Sequence, residues 1–206
     1  MGFFGKLIGA TDDTAMQTGL LGRGEVTGVQ MSGMTLQSGN GLVERKCTIS
    51  LKVMLDNVAP YDAVAVQRLQ EIVIPQLAGG AVLAVRVDPN DHSKVFLDFA
   101  SELPEVTVPK GEGRNSAAWV LENGKPIKVV LVQSQPAKMK NADGVDIYAL
   151  TLTPYEGVDT PYQLVVGNAV PATALPLLYP GSKLHARLGD QPDAVVIDWA
   201  AGAVSS

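Results

Sequence analysis

The chain states one pattern twice. Pro60, Tyr61, Val64, Pro75, Leu77, Gly80, Leu83 and Arg86 recur as Pro161, Tyr162, Val165, Pro176, Leu178, Gly181, Leu184 and Arg187, every one at an offset of 101. These eight matches fall within one 28-residue window, 60–87 against 161–188, where background composition gives about two. One residue is lost after the arginine. Register resumes at offset 100, with Val95-Phe96-Leu97-Asp98-Phe99 against Val195-Val196-Ile197-Asp198-Trp199. A repeat of this kind outranks any local pattern, because both copies must build the same supersecondary unit. The expected division is an apolar N-terminal segment (1–13), a first repeat (14–99), a linker (100–115), a second repeat (116–199) and a tail (200–206).

Each copy opens on a helix signal. Asp12, Asp13 and Thr14 offer capping oxygens ahead of 15–21, with Gly22 as the stop; Asn115 and Ser116 precede 117–122, with Asn123-Gly124 as the stop. The rest alternates as strand. Val26–Gln30 is matched with Val129–Gln133, a Gly-rich turn follows, and then long alternating runs over about 43–55 and 145–153. Strands from Tyr61 and Tyr162 come next. The proline-bearing stretches 72–77 and 174–178 forbid a central strand and read as a crossing segment with one helical turn. Gly80 and Gly181 turn the chain into 82–87 and 183–188, and a hairpin leads to the last strand. The predicted fold is mainly β: two tandem copies of a small barrel of five or so strands, OB-like or SH3-like, each preceded by a short helix.

Composition excludes several functions. Charged residues are 18% of the chain, the net charge is −5, and no Lys/Arg run exceeds two residues, so the basic stripe that releases counterions from a nucleic acid is missing. Aromatic residues are 5%, too few for a stacking platform. The single Cys47 forbids an internal disulfide and sits in an apolar alternation that predicts a buried small side chain. No apolar run approaches the roughly 20 residues of a helical membrane span. The first ten residues make a poor export signal, because their one positive charge follows the phenylalanines and Asp12-Asp13 come at once. A cytoplasmic protein is expected.

No catalytic, cofactor or metal motif stands out. Asp88, Asp91 and His92 form the densest polar cluster, but Asp-Pro-Asn-Asp is turn chemistry, and the second copy has no histidine there. Arg86 with Asp98, and Arg187 with Asp198, read as an ion pair inside each repeat. A rival reading places Arg86, Asp88, Arg187 and His185 along a cleft between the copies, where an enzyme or ligand-binding protein would build a site. Gly22-Arg23-Gly24 and Gly39-Asn40-Gly41 lack the strand–loop–helix context of a phosphate loop.

The N-terminal segment stands apart. Phe3, Phe4, Leu7 and Ile8 share one helical face beside Lys6, and the segment has no evident counterpart in the second copy. It is expected to form a short amphipathic element outside the first barrel, docked on the barrels themselves, on a protein partner or second copy, or on a membrane surface through residues 2–10.

The run Tyr61…Pro75…Gly80…Val85-Arg86-Val87-Asp88-Pro89…Val95-Phe96-Leu97-Asp98 resembles a pattern in uncharacterised actinobacterial proteins. It covers most of the first copy and, with Gly189 in place of the aspartate, more loosely the second. The resemblance implies a domain type and no activity. The function expected from the residues is a non-catalytic tandem β-barrel that binds or scaffolds, assembling with itself or with a larger protein complex and docking through its N-terminal segment. The alternatives are the inter-repeat ligand or catalytic site and a weak single-stranded nucleic-acid binder.

Overall fold

The computed structural model describes residues 18–37 and 43–204. It is mainly β, with two sheets, one of them a half-barrel. The chain divides into two compact units, Met1–Val106 and Thr107–Ser206.

The first unit holds β1 (Leu20–Gln37), β2 (Val43–Met54), β3 (Tyr61–Gln70), a 3-10 turn (Ile74–Leu77), β4 (Val82–Asp88) and β5 (Asp91–Asp98), in the sheet order β3-β2-β1-β4-β5. The second holds helix α1 (Ala117–Asn123), β7 (Lys125–Asn141), β8 (Asp146–Glu156), β9 (Leu164–Ala169), a 3-10 turn (Ala172–Leu177), β10 (Lys183–Leu188) and β11 (Val195–Ile197), in the order β11-β10-β7-β8-β9. The two orders are the same when read through the repeat, and every pairing on those two paths is antiparallel. Five strands and one interrupting turn per copy follow the sequence pattern closely.

The early part of each copy aligns differently from the sequence match. Val26 N donates to Ala81 O and Val26 O accepts from Gly80 N; Leu131 N donates to Ser182 O and Leu131 O accepts from Gly181 N. Val26 therefore corresponds to Leu131, an offset of 131 − 26 = 105 rather than 103. Past the β1–β2 hairpin the offset is 101 again, so the hairpin is four residues longer in the first copy (105 − 101): its last pair, Gln37 with Val43, is six apart like Lys140 with Asp146, and the extra residues lie two in each strand end, after Met31 and before Cys47. Two bulges in β1, at Val26/Gly28 and Met31/Thr35, recur in β7 at Leu131/Gln133 and Pro136/Met139. A length change inside a hairpin is invisible to an ungapped comparison.

The same shift moves the helix stop. Leu20 and Leu21 pair with Val87 and Arg86 as strand, so the helix expected over 15–21 ends by Gly19 and not at Gly22. Thr18 is helical, and the rest of that helix call lies outside the described residues. In the second copy Ser116 caps α1, its hydroxyl accepting from Trp119 N at 3.3 Å, as the sequence predicts. Gly124 closes that helix by close approach: a Cβ there would lie 2.4 Å from Val120 O and 3.0 Å from Leu188 O.

Within 100–115, expected as linker, Val106–Val108 form a strand, β6, that pairs with β7. The valine–threonine–valine alternation is a strand signal that the flanking prolines and glycines obscure.

Alternation decides what each unit buries. Ile49, Leu51 and Val53 of β2 pack with Val85, Val87, Val95 and Leu97; Leu150 and Leu152 of β8 pack with Leu184, Ala186, Val195 and Ile197. Cys47 is fully buried in the first core. Burial pushes its thiol up, only partly offset by Arg45, so it behaves as a small apolar side chain.

Candidate functional site

The recurring arginine is structural in both copies. Arg86 Nε donates to Asp98 Oδ2 at 3.0 Å, Nη1 to Gly19 O at 3.2 Å and Nη2 to Ser101 Oγ at 3.2 Å. Arg187 Nε lies 4.0 Å from Asp198 Oδ2, and its Nη1 donates to Gly124 O at 3.3 Å. Gly19 and Gly124 are the same repeat position at offset 105. Each arginine thus ties the end of the leading helix to the aspartate closing the last strand, which uses the fork of donors that only arginine carries.

The recurring tyrosine braces the opposite hairpin. The Tyr61 ring stacks on His92, with centroids 6.0 Å apart and planes at 16°. In the second copy Tyr162 OH donates to Pro192 O at 2.6 Å. Both therefore hold the turn between the last two strands of their unit. Burial pushes both phenols up.

The acidic turn is occupied with its own backbone. Asp88 Oδ1 accepts from Asn90 N at 2.8 Å, and Asp91 Oδ1 accepts from Ser93 N at 3.1 Å and from Ser93 Oγ at 2.6 Å. Lys94 Nζ stands 3.7 Å from Asp88 and 3.6 Å from Asp91. His92 faces Tyr61 rather than the carboxylates. Of the four residues assigned to an inter-repeat cleft, Arg86 and Asp88 lie on β4 of one unit and His185 and Arg187 on β10 of the other. His185 is half-buried on its strand, and its backbone oxygen accepts from Asp198 N.

Sequence reading misses one feature of both copies. Gln67 and Asn168, a matched pair at offset 101, are buried in the inward phase of β3 and β9. Gln67 Nε2 donates to Leu97 O at 3.3 Å, and its Oε1 accepts from Leu97 N at 2.8 Å. Asn168 Oδ1 accepts from Ile197 N at 2.9 Å, and its Nδ2 donates to Val195 O at 3.4 Å. One amide side chain in each unit thus bridges the two strands at the ends of its sheet path. Trp199 adds a second tie, its indole N–H donating to Ala169 O at 2.8 Å. The available signal is an amide interrupting an apolar period-two run, Ala65-x-Gln67-x-Leu69 and Val166-x-Asn168-x-Val170.

The surface offers two further features. Val64 and Val165, again one repeat position, point outward and are 50% and 67% exposed. Inside the second unit a cleft of 330 Å3 opens between Val108, Pro109, Ala118, Leu121, Ile147 and Ala169. The docking residues Phe3, Phe4, Leu7 and Ile8 lie outside the described residues. Among the described residues no group of three or more His, Cys, Asp or Glu is placed to hold a metal ion, and no helix is long and apolar enough to cross a membrane.

Comparison with protein-family models, with curated proteins and with solved structures returns no match to this chain.

Proposed function

We propose that this chain is a non-catalytic, cytoplasmic module of two OB-type barrels that assembles with copies of itself through its sheet faces. The barrel type is supported by the path β3-β2-β1-β4-β5, with the 3-10 turn between β3 and β4 and the Gln67 bridge from β3 to β5, as in a five-stranded, partly open Greek-key barrel. The resemblance to actinobacterial proteins belongs to the same proposal and adds a domain type.

One observation carries the assembly: Val64 and Val165 stand on the outer face of the same strand in both copies, exposed. A solvated outer position favours a polar residue, and repeated apolar exposure marks a contact surface. An oligonucleotide reading fits these faces poorly. Around Val64 and Val66 the outward residues of β2 and β3 are Lys46, Thr48, Ser50, Lys52, Asp62 and Arg68, with no ring on which a base would stack.

Light scattering on the purified chain is expected to report an oligomer. Val64→Lys with Val165→Lys should return it to monomer while far-UV circular dichroism and the melting temperature stay close to the parent, because exposed substitutions cost within about 0.5 kcal/mol. A parent chain that is monomeric at every concentration tested overturns the reading.

The cleft of the second unit favours a second reading, capture of a small apolar ligand, since its volume reaches the lower bound of small-molecule sites at about 300 Å3. An environment-sensitive apolar dye should then bind the native chain and be excluded by Ala118→Trp, which fills the cleft mouth. Equal dye binding by parent and variant removes this reading.

A further inference from the structure

The outer face of β8 and β9, opposite the inward Leu150 and Leu152, has lost the charges that its counterpart carries. Ile147 pairs with Ala169 and Ala149 with Gly167 across the two strands. The matching pairs in the first unit are Lys46 with Arg68 and Thr48 with Val66. A solvated sheet face favours polar residues. The first copy keeps a lysine–arginine pair there, and the second replaces it by two apolar side chains. Ile147, Gly167 and Ala169 line the 330 Å3 cleft together with Ala118 and Leu121 of α1 and Val108 of β6. Leu121 is 40% exposed.

Gly167 is the informative member of that lining. Glycine in the interior of a strand costs stability, and it often marks a place where another group approaches closely. Neither backbone nor packing requires it here. Gly167 lies outside the left-handed region, and a Cβ added to it would meet only Ile147 Cγ2, at an ordinary contact distance of 3.5 Å. The missing side chain leaves bare, flat backbone as one wall of the cleft. The lining carries one charge of each sign, Lys110 and Asp143. Asn141 Oδ1 is taken by the backbone N–H groups of Asp143 and Val145. With no net charge around it, the cleft selects an uncharged ligand.

We infer that the cleft of the second unit holds a flat, uncharged aromatic compound of one or two rings, with one ring face on the β9 backbone at Gly167 and its remaining surface against Ala118 and Leu121 of α1. The inference rests on the reading of this cleft as a small-molecule site and names the class of ligand. Volume sets the size: 330 Å3 is near the lower bound of small-molecule sites, about 300 Å3, which suits a fused pair of rings and not a larger compound. Flatness follows from dispersion. A gap of about 0.5–1 Å already forfeits a quarter to a half of a contact's attraction, so a puckered saturated ring on the same wall binds less well than an aromatic one.

Displacement of the environment-sensitive apolar dye from the full chain by naphthol, which is uncharged at neutral pH, tests it. Naphthol should bind about tenfold or more tightly than decahydronaphthol, its saturated and puckered counterpart, and than the anion naphthoate. Gly167→Val installs the residue that the first copy holds at this position, Val66. The melting temperature should therefore be kept while naphthol binding weakens about tenfold or more, the effect of extra methylenes in an apolar pocket. Gly167→Ala, whose Cβ has room, should weaken binding in the same direction and keeps the test open if valine perturbs the strand. Dye that Ala118→Trp excludes, but that naphthol fails to displace or decahydronaphthol displaces equally well, overturns the inference and leaves small-molecule capture standing. Tighter binding of naphthoate than of naphthol overturns it too, as does unchanged naphthol binding by both folded Gly167 variants. Dye bound equally by the parent and Ala118→Trp removes the capture reading, and the inference with it.

Discussion

Gln67→Ala is expected to be the most damaging single substitution in the first unit. It takes away the amide that bonds both the N–H and the C=O of Leu97. Leaving a buried polar group unsatisfied costs about 1–3 kcal/mol each, so the two together should cost about 3–5 kcal/mol. Asn168→Ala should cost less, about 2–3 kcal/mol, because one of its two bonds is stretched to 3.4 Å and Trp199 keeps a second tie between the same strands. Both tryptophans, Trp119 and Trp199, belong to the second unit. Indole fluorescence should therefore follow the Asn168→Ala loss and miss most of the Gln67→Ala loss, which circular dichroism and exchange in β3 and β5 will show. Gln67→Glu separates bonding from packing. The isosteric carboxyl keeps the acceptor for Leu97 N but, once ionised, faces Leu97 O in a buried site. Its folded pKa is raised above the unfolded value of about 4.3. The variant should be nearest to the parent below that value and lose stability as pH rises through the folded pKa. A Gln67→Ala melt within about 1 kcal/mol of the parent would show that the bridge carries no stability.

The sequence discloses the repeat, the five-strand content, the capping serine and the arginine–aspartate pairs because each is written in local pattern or in a constant offset. The offset breaks within the β1–β2 hairpin, where two extra residues in each strand end lengthen the arms and leave the pairing before Met31 in register. The same break hides the equivalence of Gly19 with Gly124, and with it the carbonyl that both arginines bind. β6 escapes notice because three strand-forming residues sit among prolines and glycines, and a strand that short is recognisable only once β7 is beside it. The bridging amides are different. Gln67 and Asn168 stand in plain view as polar residues in the inward phase, but their partners lie 30 and 27–29 residues away, a distance fixed by sheet order and not by periodicity. Outward Val64 and Val165 are ambiguous for the opposite reason, since apolar residues on a strand read as core until the strand's outer face is known.

Asp98 sets the acid limit of the first unit. Burial works to raise its carboxyl, but the hydroxyl of Ser101, the Arg86 guanidinium and the backbone N–H groups of Ser101 and Ala100 outweigh it and hold the group below the usual aspartate range. A carboxylate whose folded pKa is depressed contributes stability that is complete above its unfolded value, about 3.9, and is lost as pH falls through the folded pKa. Asp98→Asn should therefore destabilise the first unit at neutral pH by about 2–3 kcal/mol, the cost of removing one partner of a largely desolvated, hydrogen-bonded pair. It should also flatten the loss of stability below about pH 4. Arg86→Lys tests the geometry, since an ammonium cannot span Asp98, Ser101 and Gly19 from one planar fork; most of the loss should appear even though the charge is kept. In the second unit the arginine and aspartate side chains are 32% and 27% exposed, against 23% and 12% in the first, and the longer pair is screened by water. Arg187→Ala should cost about 1 kcal/mol or less. Chemical denaturation followed by exchange in each unit separately, from pH 7 down through pH 3, reads all three variants. An Arg86→Lys protein as stable as the parent would show that the charge, and not the bridge to the helix end, is what the recurring arginine supplies.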